Sequence, residues 1–126
     1  MPKTPEAVAV VEDDPDLRMA MRRVLRAAGF DPSTVVSAED FLEARPLPSF
    51  RCLVLDVRLP GLSGPELYRR LRRDGAAPPV IFVTAHDTAS ARQEVRALDP
   101  VAFLMKPFRG DELVRAVGEA LSAGRG

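Results

Sequence analysis

A chain of 126 residues is sized for one domain and can bury a core without disulfide or metal staples. Its 18 Lys and Arg balance 18 Asp and Glu, so no net field draws it to nucleic acid or a membrane surface, and any partner must be recognised locally. The single Cys52 rules out an internal disulfide and sits in an apolar run, which reads as a buried reduced thiol in a cytoplasmic protein. Met1 to Glu6 carry no signal pattern and no apolar run approaches ~20 residues, so neither export nor membrane insertion is indicated.

Ala7 to Val11 is wholly apolar and of strand length, the pattern of a parallel strand covered on both faces, and it runs into Glu12-Asp13-Asp14-Pro15. Proline suits the first helical position and aspartate the cap before it, which assigns Asp14 to capping and leaves Glu12 and Asp13 free. Leu17, Met21, Val24, Leu25 and Ala28 form one stripe of an amphipathic helix that Gly29 closes. Ser33 to Val36 reads as a short strand. Ser37 with Asp40 resembles a capping box for a brief helix carrying Phe41 and Leu42, ended by Pro46 and Pro48.

Cys52 to Leu55 is the second unbroken apolar run. It ends in Asp56, and Pro60-Gly61 forces a turn four residues later, so a carboxylate stands where a central strand leaves the core. Ser63-Gly64-Pro65-Glu66 carries the serine and glutamate of a capping box, with Leu67 and Leu71 on the buried side and Gly75 as the stop. Val80 to Val83 repeats the apolar strand and ends in Thr84. Thr88 to Leu98 has only a thin stripe of Ala91, Val95 and Leu98, predicting a loosely held helix that Asp99-Pro100 ends. Val101 to Met105 is the fifth strand, followed by Lys106-Pro107. Leu113, Val117 and Leu121 line a closing helix before a tail from Ser122 to Gly126.

Five strands alternating with five helices imply an α/β fold: one doubly wound, five-stranded parallel sheet flanked by five helices. The whole chain, 1–126, reads as a single domain with its core at 7–121. Glu12/Asp13, Asp56, Thr84 and Lys106 close four of the strands, and in a parallel sheet such ends share one edge, where ligands bind. Carboxylates gathered there repel each other unless a cation joins them, and hard oxygen donors without His or Cys favour Mg²⁺. Phosphate is the natural second ligand. A lysine would pair with its charge, a threonine hydroxyl would bond an equatorial oxygen, and a carboxylate would be the nucleophile forming an acyl phosphate. His86, the sole histidine, reads as ordinary surface, and Arg69, Arg70, Arg72 and Arg73 read as a solvated face.

From about Val8 to Leu121 the chain resembles the receiver domain of bacterial two-component response regulators. The carriers are Val10-Val11-Glu12-Asp13-Asp14, the run Leu55 to Gly64, Val83-Thr84-Ala85, and Phe103-Leu104-Met105-Lys106-Pro107-Phe108. Each alone is weak; four in order are specific. The Asp56 to Gly64 stretch looks most like receivers of LuxR-type and nitrogen-fixation-type transcription regulators, which carry an attached helix-turn-helix domain. The resemblance implies the flavodoxin-like fold of the chemotaxis regulator, with strand order 2-1-3-4-5.

It further implies that Asp56 accepts a phosphoryl group from a histidine kinase or histidine phosphotransfer protein. Asp13, Asp56 and the backbone carbonyl of Arg58 would hold Mg²⁺, with Glu12 acting through water, and Lys106 would clamp the phosphoryl group. Thr84 and Phe103 would form the switch, coupling the site to a face made by the fourth helix, fifth strand and fifth helix, where a homodimer would form. Lys106-Pro107 would be cis. Arg18, Arg22 and Arg26 on the first helix would face the kinase. The implied protein is a cytoplasmic signalling domain rather than an enzyme, with no direct nucleic-acid contact and no membrane partner.

Three departures stand against the family pattern: Glu12-Asp13 where Asp-Asp is commoner, Asp99-Pro100 for the usual Gly-Ala, and Ala102 where an acid is frequent. A haloacid-dehalogenase-type phosphatase also uses a strand-end aspartate, but it needs a second aspartate two positions on, where Arg58 stands. No G-x-G-x-x-G or Gly-rich loop ending in Lys-Ser/Thr occurs. Two alternatives remain open: an interaction module working without phosphorylation, and the N-terminal receiver of a DNA-binding regulator.

Overall fold

The computed structural model describes residues 5–44 and 50–123. Along these, β1 (Ala7–Val11), α1 (Pro15–Ala27), β2 (Asp31–Val35), α2 (Ala38–Glu43), β3 (Cys52–Asp56), α3 (Gly64–Arg73), β4 (Val80–Thr84), α4 (Ala89–Arg96), β5 (Ala102–Met105) and α5 (Gly110–Ala123) alternate without exception. All four strand pairings are parallel and the order is β2-β1-β3-β4-β5, as expected. Every strand therefore ends on the same edge.

The alternation of side chains along each strand divides the core into two layers. Val8, Val10, Val54, Ile81 and Val83 face Met21 and Leu25 of α1 and Leu113 and Val117 of α5. Ala9, Val11, Leu53, Leu55 and Phe82 face Phe41 of α2, Leu67, Tyr68 and Leu71 of α3, and Val95 of α4. Each fully buried Leu, Ile or Phe contributes about 1.5–3 kcal/mol through removal of apolar surface from water, which is why the central strands need no polar residue before their ends. Cys52 is buried among them, and its thiol is pushed up to about 12 by burial.

Several element bounds differ from those the apolar pattern predicts. β2 starts at Asp31, two residues earlier than expected, and excludes Val36, which is 45% exposed. The Asp31 N–H donates to the Glu6 carbonyl and the Val35 carbonyl accepts from Glu12 N–H, so odd positions face β1 and Pro32 turns its nitrogen to the open side. A proline there sacrifices no ladder bond. Ala28 is the C-cap of α1 and exposed, rather than part of its buried stripe. α5 continues through Ser122 and Ala123, where a tail is expected. Pro46 and Pro48 lie outside the described residues, as do 124–126; α2 is capped at Ala44.

The helix starts follow their caps. Asp14 accepts from Asp16 N–H at 3.0 Å and Leu17 N–H at 3.5 Å, and Ser37 accepts from Asp40 N–H at 3.0 Å. Ser63 and Glu66 close a full capping box, each side chain bonded to the other's backbone N–H at 3.2 Å. Gly29 and Gly75, at φ +94° and +72°, carry the chain out of α1 and α3.

Candidate functional site

With Asp14 committed to its cap, Glu12 and Asp13 are left at the end of β1 beside Asp56 at the end of β3. One carboxylate oxygen from each of the three lies within 4.8 Å of the others. Asp56 is 4% exposed; its Oδ1 accepts the Arg58 N–H at 3.1 Å, which closes the turn after the strand. α3 begins directly against that turn: Gly64 N–H donates to the Val57 carbonyl at 3.2 Å, and a methyl group on Gly64 would overlap the Asp56 carbonyl. Only glycine lets the helix seat there.

Lys106, just past β5, reaches back across β4. Its ammonium lies 2.9 Å from Asp56 Oδ2 and 2.8 Å from Glu12 Oε1. Burial alone would lower its pKa, but the two carboxylates outweigh that and hold it above the ordinary lysine value. Glu12 is completely buried, and burial pushes its carboxyl up to about 7 against the pull of Lys106 and the Asp14 N–H. Its Oε2 accepts that N–H at 3.1 Å; its Oε1 contacts the ammonium as an ion pair yet meets no donor at a hydrogen-bonding angle. One ammonium thus stands against three acids. A buried carboxylate oxygen with lone pairs to spare, inside a cluster of hard oxygen donors, fits a divalent ion of the Mg²⁺ class.

Thr84 is fully buried at the end of β4, but its hydroxyl is turned to the following loop, accepting from His86 N–H at 3.1 Å and donating to the His86 carbonyl at 3.4 Å. It does not touch the carboxylates. His86 itself is exposed. Phe103 is half-buried in β5 and helps line a groove of 380 Å³ between α4 and β5, with Val95, Arg96, Asp99 and Val101. Asp99 takes φ +52°, in the left-handed region. The Lys106–Pro107 peptide is cis.

Several contacts escape sequence reasoning because the side chains that make them are of ordinary surface type. Arg18 bonds the Glu12 carbonyl at 3.0 Å and the Asp13 carbonyl at 3.4 Å. Glu39 of α2 accepts the Leu62 N–H at 2.8 Å, holding the loop that turns at Gly61 with φ +77°. Two of the four α3 arginines do more than face solvent: Arg69 pairs with Glu94 of α4 at 2.9 Å, and Arg72 donates to the Leu98 carbonyl at 2.6 Å while lying over the Tyr68 ring.

Comparison with known proteins agrees with this arrangement. Residues 8–118 match the family model of the response regulator receiver domain. The chain is 36% identical over 114 residues to the transcriptional regulatory protein FixJ of Bradyrhizobium diazoefficiens, covering 90% of this chain and 56% of that one. It is 38% identical over 122 residues to nodulation protein W of the same organism, covering 97% and 54%. The chain therefore spans about half the length of these curated relatives. The crystal structure of FixJ-N superposes with a TM-score of 0.84 at 30% identity, over 95% of this chain and 96% of that one. Among the described residues no helix is long and apolar enough to cross a membrane.

Proposed function

The chain belongs to the response regulator receiver domain family of two-component signalling, and on that premise we propose that Asp56 is its phosphoacceptor. The observation that carries this is the ammonium of Lys106 drawn onto Asp56 and Glu12 at one end of the sheet, with Asp13 beside them. An Asp56 carboxylate oxygen attacks phosphorus while the P–N bond to a donor imidazole, or the P–O bond to an acyl phosphate, breaks and its electron pair leaves with the donor. Lys106 is positioned to follow a phosphoryl oxygen with its charge. Asp13, Asp56 and the Arg58 carbonyl would hold Mg²⁺, with Glu12 acting through water; bound there, the ion neutralises phosphoryl oxygens.

The product adds roughly −1.5 to −2 charge at Asp56. Thr84 would then exchange its His86 contacts for the phosphoryl group, and Phe103 would turn inward from the α4–β5 groove. The phosphodonor is a histidine kinase or histidine phosphotransfer protein, and the output is a changed α4–β5–α5 face suited to a homodimer. In this reading residues 1–126 form one receiver unit, a cytoplasmic switch and not an enzyme. Since the matched relatives include a named transcriptional regulator of which this match covers only 56%, the receiver of a DNA-binding regulator is favoured over a module that acts by binding alone.

A small-molecule acyl phosphate with Mg²⁺ is expected to add one phosphoryl mass to the chain by intact-protein mass spectrometry, and Asp56→Asn to abolish the addition. Uptake that survives the substitution, or proceeds equally in chelator, sinks the assignment.

A further inference from the structure

We propose that Arg18 is a positioning residue for the divalent cation: its guanidinium fixes the β1–α1 turn so that Glu12 and Asp13 are presented to Asp56 before any ion arrives. The inference rests on the divalent-ion reading above and extends it to a side chain that touches neither ion nor phosphoryl group.

Three acids with oxygens within 4.8 Å tend to spread apart, and backbone bonds hold the turn bearing two of them only at its ends, where the Glu12 N–H donates to the Val35 carbonyl and the Asp14 carbonyl accepts the first bond of α1. Arg18 adds a restraint between those ends through its side chain. Its backbone N–H donates to the Asp14 carbonyl at 2.9 Å within α1, and its half-buried guanidinium reaches back to two successive carbonyls, Glu12 at 3.0 Å and Asp13 at 3.4 Å. One nitrogen held against both carbonyls leaves the peptide between them little room to rotate. The guanidinium does not deprotonate at working pH, so the restraint is constant.

The same group has an opposing effect, since its positive charge repels an incoming cation. The two effects separate by substitution. Arg18→Lys keeps the charge but gives up the planar fork, and Arg18→Met gives up both. Mg²⁺ titrated into the ¹⁵N-labelled chain, followed by amide shifts near residues 12–14 and 56–58, reads affinity without any phosphoryl transfer. If positioning dominates, Arg18→Lys weakens Mg²⁺ binding about three- to tenfold and Arg18→Met also weakens it, with thermal stability in chelator little changed. Unchanged affinity in Arg18→Lys, or tighter binding in Arg18→Met, overturns the proposal. Should the Met variant fail to fold, the Lys variant decides. A native chain that takes up no Mg²⁺ overturns the ion reading itself, and Asp13→Asn, which removes a ligand outright, marks the size of that loss.

Discussion

The centre of the sheet and its β5 flank are built to different standards. β3 and β4 are buried at every residue; β5 is half-buried along its whole length, and α4 keeps one buried residue within its span, Val95. The acids Glu12 and Asp56 stand on the first kind of support. Lys106 comes from the second, and side chains of α3 reach α4 and the turn after it, through Arg69–Glu94 and Arg72 to the Leu98 carbonyl. On the proposed reading, a change of charge at Asp56 would act most on the flank that buries the least apolar surface. The buried acids and the lysine that faces them thus rest on regions that differ in how much apolar surface each buries.

The largest test of this contrast is in the core. Phe82→Ala, on the fully buried β4, should cost about 3–5 kcal/mol in denaturant unfolding. Phe103→Ala, one strand over and half-buried, should cost roughly 1–2 kcal/mol. Equal losses would erase the distinction between centre and flank. Next in size, Arg72→Ala removes a charged hydrogen bond to the end of α4 and should speed amide exchange in α4 about tenfold, with β1 and β3 unchanged. Exchange that rises uniformly over the sheet would mean that α4 is not separately held.

The smallest effect concerns the β3–α3 loop. The Leu62 N–H holds the Glu39 carboxyl below its ordinary value of 4.5, and the Ser63 N–H does the same for Glu66. A carboxyl whose folded pKa is depressed stabilises the fold above the unfolded value, and that contribution is lost as pH falls through the folded one. Exchange at the Leu62 and Ser63 amides should therefore accelerate only on the acid side of pH 4.5. Both carboxyls are exposed, so the change is modest, and Glu39→Gln should flatten it at Leu62.

What could be read from the sequence was whatever depends on neighbours in the chain. Asp14 announces its cap through Pro15 directly after it and Ser63 through Glu66 three places on, and apolar runs that stop at Asp56 and Thr84 mark strands covered on both faces. Edge elements were harder. β2 carries Pro32 and four exposed or half-exposed residues, so no apolar run marks where it begins. The Arg18, Arg72 and Glu39 contacts were invisible for another reason: arginine and glutamate on helix surfaces are ordinary, and Leu98 and Leu62 lie 26 and 23 residues from their partners. Arg18 lies only six residues from Glu12, yet its spacing alone does not tell a backbone brace from a solvated side chain.

The outward nitrogen of Pro32 has a further effect at the open side of β2. A sheet border normally offers a row of donors and acceptors onto which another polypeptide can add as an extra strand, the first step of fibrous aggregation. At Pro32 that row lacks a donor, so the border is a poorer template for growth while the inner ladder stays intact.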